Sequence, residues 1–312
     1  MQVFRHFPKP NPTTKQSAPI ALAIGNFDGV HLGHQALLKQ LTEVAREKNL
    51  SSAVMTFEPH PREFFSPENA PARLTTLREK LELFDALGIT QVFVCLFNGR
   101  FAQVSAQDFM QKILIESLNV KSILVGEDFR FGAKRAGTLE DIKAAGFDLI
   151  HFPQVNLDAE RVSSTRVRNA LASGDLYLAK ALLGRPYSFS GKVVHGAKRG
   201  RQLGFPTANI HMRHERPALT GVYAVKLNID IANGQPPLSL SSVANLGVRP
   251  TIAGIPKLLL EVHAIDFNGD LYGQHVHVQF LHKLRDEMKF DGLDALKAQI
   301  GHDVEQAKIY FG

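Results

Sequence analysis

The hydrophobic period of this 312-residue chain changes once, near Leu183-Gly184-Arg185-Pro186. Before that point short apolar runs alternate with amphipathic helical stretches. Ile20–Ile24, Ala53–Phe57, Gln91–Leu96, Ser122–Val125 and Asp148–Phe152 read as strands. Helical spacing follows the first run at Leu37, Leu38, Leu41, Val44 and Ala45. It recurs at Leu77, Leu81, Phe84 and Leu87, where Gly88 supplies a C-terminal stop, and again from Ser105 to Leu118. Such alternation predicts βαβ units and a parallel sheet. After the change, Ser188–His195, Gly221–Leu227, Ser241–Leu246, Leu258–Phe267 and Val276–Leu281 read as strands with little helix between them. That predicts an antiparallel barrel or sandwich, followed by helices at Asp291–Ile300 and Asp303–Tyr310. Two domains are expected, residues 1–184 and 185–312, preceded by a loose arm at residues 1–17, which are rich in Pro, Lys and Thr.

In open parallel sheets, ligands bind beyond the carboxyl ends of the strands. Three distinctive loops leave strands in this way: Asn26–His34, Glu58–Pro61 and Gly126–Gly132. They are expected to converge on one crevice, with Pro59 and Pro61 stopping regular structure after the second strand. The first loop belongs to IGNFDGVHLGH (residues 24–34), a strand end, a glycine-bearing turn and a helix start carrying His31 and His34. Backbone N–H groups at such a junction meet phosphate well, and two imidazoles can add hydrogen bonds to charge that develops there. Two histidines three apart also suit a metal or a plain surface, although zinc would need more ligands than the chain offers nearby. Ser163-Ser-Thr-Arg-Val-Arg168 opens another helix and is either a second anion site or an ordinary N-cap with solvated arginines.

Composition bounds the rest. The chain is 44% hydrophobic and 21% charged, and its 36 basic against 30 acidic residues leave a net charge of +6. That excess suits an anionic small molecule as readily as nucleic acid. The single cysteine, Cys95, lies in an apolar run and reads as a buried strand residue, so no intrachain disulfide forms. No run approaches a membrane span, and the first residues lack a signal-peptide core. The expectation is a cytoplasmic, soluble protein without a membrane partner.

Taken together, GNFDGVHLGH (25–34) and SSTRVR (163–168) resemble the H-x-G-H nucleotidylyltransferases. FEPHP (57–61) and VGEDFRFGAKRAG (125–137) narrow the resemblance to the flavin-adenylylating branch. LGFPTAN (203–209), ANLGVRPT (244–251) and LEVHAIDFNGDLYG (260–273) are similar to riboflavin kinase. In this order they resemble the prokaryotic-type bifunctional riboflavin kinase/FAD synthetase family, over nearly the whole chain. The resemblance implies a Rossmann-like α/β adenylyltransferase domain, then a β-barrel kinase domain with terminal helices. It implies ATP, riboflavin, FMN and FAD as ligands, Mg²⁺ with ATP, and no nucleic-acid partner.

By that resemblance, His31 and His34 are catalytic and hold the ATP phosphates and the developing pyrophosphate, Gly25, Asn26, Phe27 and Asp28 bind ATP phosphate, with Asn26 and Asp28 shaping the turn, and Ser163, Ser164, Thr165, Arg166 and Arg168 hold the triphosphate. Asp128 and Phe129 are flavin or FMN candidates, as is Arg285 in LRDEMKF, where Glu287 and Phe290 also lie. Phe131 either contacts the flavin or belongs to the core. In the kinase domain Glu261 is the implied general base. Gly191, Lys192, Gly196, Thr207 and Asn209 are implied for ATP phosphate, with Thr207 on the metal. The basic run Lys198-Arg-Gly-Arg201 reads as part of a phosphate loop. Asn98 stands where the family usually has an aspartate, so no charged role is assigned to it.

Overall fold

The computed structural model describes residues 1–8, 18–196, 204–212, 216–229, 238–249 and 257–312. The chain forms two compact units, Met1–Pro71 with Leu77–Ser163 and Ala72–Thr76 with Ser164–Gly312.

The first unit is built on six parallel strands: β1 (Gln2–Phe4), β2 (Ile20–Ile24), β3 (Ser51–Glu58), β4 (Gln91–Leu96), β5 (Val120–Gly126) and β6 (Asp148–Phe152). Their order is β1-β4-β3-β2-β5-β6. From β2 the chain winds outward through β3 and β4, then returns to β5 on the other side. The order therefore reverses between β2 and β5, which places the crevice there. All five expected strands form. The unexpected one is β1, inside the segment expected to be a loose arm. Gln2, Val3 and Phe4 pair with Gln91, Val92 and Phe93, and the Phe4 ring stacks on Phe93 at 5.0 Å. Three residues are too few to show a period, so an edge pairing of this kind leaves no pattern in sequence. Residues 9–17 of the arm lie outside the described residues.

The two faces of β2 explain the layering. Ile20, Leu22 and Ile24 enter one core layer with Met55, Phe93 and Ile123. Ala21 and Ala23 face the other, where Leu37, Leu38 and Leu41 of the helix Leu32–Glu47 pack. Small residues on that face let the helix approach closely. Cys95 is buried in the first layer, and burial pushes its thiol pKa up, as an inert strand cysteine requires. The helix expected from Ser105 to Leu118 is present, but over Phe109–Ser117 it widens, and Leu118 N donates to Ile113 O. Pro61 does not simply end structure. It opens the short helix Pro61–Phe65 as its first residue, where a missing N–H costs nothing, and His60 and Glu63 form a reciprocal cap. A hairpin of β7 (Asn156–Leu157) and β8 (Glu160–Arg161) turns through Asp158 and Ala159, both at positive φ.

The second unit begins with helices Ser164–Ala172 and Leu176–Leu183, the latter ended by Gly184 at φ 68°. A closed antiparallel barrel follows: β9 (Ser188–Val194), β10 (Ala208–His211), β11 (Gly221–Ile229), β12 (Leu238–Arg249), β13 (Lys257–Ala264) and β14 (His275–Arg285), in the order β10-β13-β12-β11-β14-β9. Tyr187, Phe189, Tyr223 and Phe280 form its aromatic centre, with ring centroids 5.2–6.2 Å apart. One helix, Leu293–Phe311, replaces the two expected at the end. Gly301 costs an exposed helix about 1 kcal/mol. Here Val304 and Ala307 pack on Val222, Ala224 and Val243 outside the barrel and carry the helix through it. Arg285 binds Asp303 through Nε and Nη2 at 2.8–3.1 Å and anchors the same helix.

Candidate active sites

In the first unit, Gly25 N donates to Met55 O at 3.1 Å and sets the chain leaving β2. Phe27 and Val30 then adopt φ 49° and 41°, a conformation that L-residues visit only under constraint. Phe27 is buried edge-on against His34 and Phe84, and Asp28 is buried in the same turn. His31 caps the following helix: its Nδ1 accepts from His34 N at 3.4 Å, so its proton sits on Nε2. The two imidazoles stack with centroids 3.7 Å apart and 17° between planes. Gly33 leaves the space they need, because a Cβ there would stand 3.2 Å from His31 Cε1. The spacing of HLGH therefore has a physical reason, a cap and a ring stack within one helical turn.

Burial lowers the His34 pKa well below 6.5, and the charges of His31, Lys80 and Arg161 press it further in the same direction. The imidazole is thus neutral at neutral pH, and its Nδ1 is shielded from solvent with no partner among the described residues. The unfolded chain binds this proton below about pH 6.5 and the folded chain does not, so stability falls as pH drops through that point. The expected slope is up to about 1.4 kcal/mol per pH unit. The protection factors of the β2 amides, corrected for the intrinsic pH dependence of exchange, are expected to fall between about pH 7.5 and about pH 5.5, and His34→Phe is expected to blunt the change. Equal pH sensitivity in both proteins would count against it.

The three loops expected to converge follow β2, β3 and β5, neighbouring strands that run in one direction. Asp128 accepts from Arg161 Nη1 at 2.6 Å in an exposed pair. Phe131 is buried against Phe109, while Phe129 stacks on it at 5.7 Å and is half-buried. Asn98 caps the turn Gly99–Ala102, its Oδ1 accepting from Phe101 N at 3.0 Å. Asn and Asp serve that purpose equally, which accounts for the departure without a charge. The hexad SSTRVR divides: Ser163 closes the first unit, and Ser164, Thr165, Arg166 and Arg168 begin the second. Arg168 Nε donates to Ala72 O at 2.6 Å.

In the second unit, Leu260 and Val262 are buried inside the barrel, so Glu261 faces outward as alternation requires. It stands opposite Asn209 on β10 and Asn245 on β12. Directly opposed side chains lie about 5 Å apart at Cβ, so these three form one polar row across three strands. Asn245 was missed by motif reading, because only strand register shows which residue faces the glutamate. The Asn209 amide lies against Gly196, where no Cβ would fit, and the Glu287 carboxylate lies against Gly247 in the same way. Thr207 is half-buried just before β10, and Gly191 and Lys192 are on β9. Arg285 is committed to Asp303 and lies over the Phe290 ring at 5.6 Å. Lys198, Arg199, Gly200 and Arg201 lie outside the described residues.

A doubly wound sheet with a neutral histidine stack beside its switch point, joined to a closed barrel with an outward carboxylate, defines a two-module class of phosphate-transfer protein. The FAD synthetase model matches residues 13–166 and the riboflavin kinase model residues 183–311. The bifunctional riboflavin kinase/FMN adenylyltransferase of Haemophilus influenzae is 48% identical, covering 93% of this chain and 94% of that protein. That of Pseudomonas fluorescens is 49% identical, covering 91% of each. A crystal structure titled as a macrolide-efflux protein from Streptococcus pneumoniae shares the fold, with a TM-score of 0.80 and 31% identity over 99% of both chains. No described helix here is long and apolar enough to cross a membrane. The chain belongs to the bifunctional riboflavin kinase/FMN adenylyltransferase family.

Proposed function

We propose that the chain catalyses two consecutive reactions: riboflavin and ATP give FMN and ADP, then FMN and a second ATP give FAD and pyrophosphate. One observation supports the reading: the His31–His34 stack stands in the first unit and the Glu261 row in the second, each chemically suited to a different step. A ribityl hydroxyl is a poor nucleophile, and Glu261 is the base that takes its proton as the oxygen attacks the γ-phosphorus of ATP. The row of Asn209 and Asn245 beside it orients that encounter. In the second step the FMN phosphate is already an anion and needs no base. Catalysis there is positioning and charge neutralisation on the five-coordinate α-phosphorus and the departing pyrophosphate. His31 and His34 serve it on a turn made by Gly25, Asn26, Phe27 and Asp28. Ser163, Ser164, Thr165, Arg166 and Arg168 hold the triphosphate.

Asp128 and Phe129 are assigned to FMN, and Arg285 supports the flavin side of the kinase through its segment. Gly191, Lys192 and Gly196 are assigned to kinase ATP. Thr207 and Asn209 offer the oxygen donors that Mg²⁺ prefers, with the amide seated on Gly196. Among the described residues no cluster of three acidic, histidine or cysteine ligands exists. Mg²⁺ is assigned to the bound nucleotide, where it would neutralise phosphate charge. The functional boundary is assigned to residue 184, next to residue 183, where the match to the riboflavin kinase model begins. The basic excess is assigned to nucleotides rather than to nucleic acid, and the protein to the cytoplasm.

Incubation with riboflavin, ATP and Mg²⁺, followed by separation of the flavins, is expected to yield FMN first and FAD after it. Riboflavin left unchanged would overturn the reading. FMN accumulating without FAD would reduce it to a kinase.

A further inference from the structure

The helix Leu77–Ala86 carries a cation where its apolar stripe should continue. Lys80 stands three residues after Leu77 and four before Phe84, so it shares their face. It is only 4% exposed. An ammonium is strongly hydrated and is almost never buried so far without partners. Its partners include the carbonyl oxygen of Asn26, 3.3 Å from Nζ, and Thr56 Oγ1 at 3.5 Å. Thr56, fully buried on β3, itself donates to the same Asn26 carbonyl at 3.2 Å.

Asn26 is thus gripped at its main chain from a helix and from a strand. Its side-chain Oδ1 is shielded from solvent without a partner among the described residues. The next residue, Phe27, is one of the two non-glycine residues of the turn at positive φ, and such a turn persists only where its surroundings over-determine it. We propose that Lys80, together with Thr56, is a positioning residue for adenylyl transfer: by holding the Asn26 carbonyl it fixes the turn that leads into the His31–His34 stack. The proposal rests on the adenylyltransferase reading of the first unit. His34 also feels this ammonium. The titratable and charged groups facing it are His31, which caps its helix, Lys80 from the helix Leu77–Ala86 and Arg161 from β8.

The test uses the full chain with FMN, ATP and Mg²⁺. Lys80→Met keeps the length of the side chain and removes the charge. The kcat for FAD formation is expected to fall about 10²-fold with KM for FMN little changed, the size of effect that a small misplacement produces. The His34 imidazole, followed by NMR, is expected to titrate at higher pH than in the parent, which reports that the ammonium is gone from its surroundings, while the fall in kcat at unchanged KM is the readout that a purely structural role would not bring. Riboflavin kinase rate in the same preparation reports that the chain is folded. Should Lys80→Met fail to fold, Thr56→Val decides, with an expected fall of about tenfold. Parent-like kcat in folded variants overturns the proposal alone, as does a rise in KM at unchanged kcat. A parent protein that makes no FAD overturns the functional reading and the proposal with it.

Discussion

Glu261→Gln is expected to lower FMN formation from riboflavin by roughly 10²–10⁴-fold, the range that a positioned general base contributes. FAD formation from supplied FMN is expected to continue. Glutamine keeps the size of the side chain and its place opposite Asn209 and Asn245, but it accepts no proton. Glu261 points outward from the barrel and is half-buried, so the substitution opens no cavity and buries no new charge. A loss of barrel stability therefore does not explain the expected fall. The check is an assay of the two half-reactions on one preparation. A variant that still makes FMN at the parent rate would remove Glu261 as the base and leave the polar row without a catalytic centre.

His31→Ala is expected to give the reciprocal result: FMN is made, while FAD formation drops by roughly 10²-fold or more, comparable to the loss of an oxyanion donor. The interpretation needs a control, because His31 also caps the helix Leu32–Glu47. Losing a cap costs about 1 kcal/mol in stability. His31→Asn restores a capping acceptor without the imidazole. If the ring itself serves the phosphate, both variants lose FAD formation, while the asparagine variant keeps more of the stability. Recovery of FAD formation in the asparagine variant would show that His31 acts only by holding the helix start.

Much of this was legible in sequence for reasons that can be named. The outward direction of Glu261 follows from alternation between Leu260 and Val262. The placing of His31 and His34 at a strand-to-helix junction follows from the apolar run before them and the leucine spacing after. The five strands β2 to β6 follow from their length and composition. What escaped was set by partners distant in sequence. Strand β1 exists because β4 offers it an edge. The strand Ala208–His211 is hidden in a motif valued for its polar residues, and its neighbours β9 and β13 make it a strand. Lys80 did leave a trace, a charge at a core position of an amphipathic helix. Its meaning needed the carbonyl of Asn26, more than fifty residues away. The final helix reads from sequence as two, Asp291–Ile300 and Asp303–Tyr310, because the packing of Val304 and Ala307 that makes it continuous has no local signature.

The barrel closes where β9, its first strand, pairs with β14, its last, and the helix that covers its outer face comes later still. Such a seam joins distant parts of the chain and forms late in folding. On the ribosome the six parallel strands emerge first, and domains tend to fold as they emerge. A nascent chain therefore owns the framework for the second reaction before the one for the first exists. A translation product cut short inside β14 keeps the adenylyl-transfer fold but has no closed barrel to supply it with FMN.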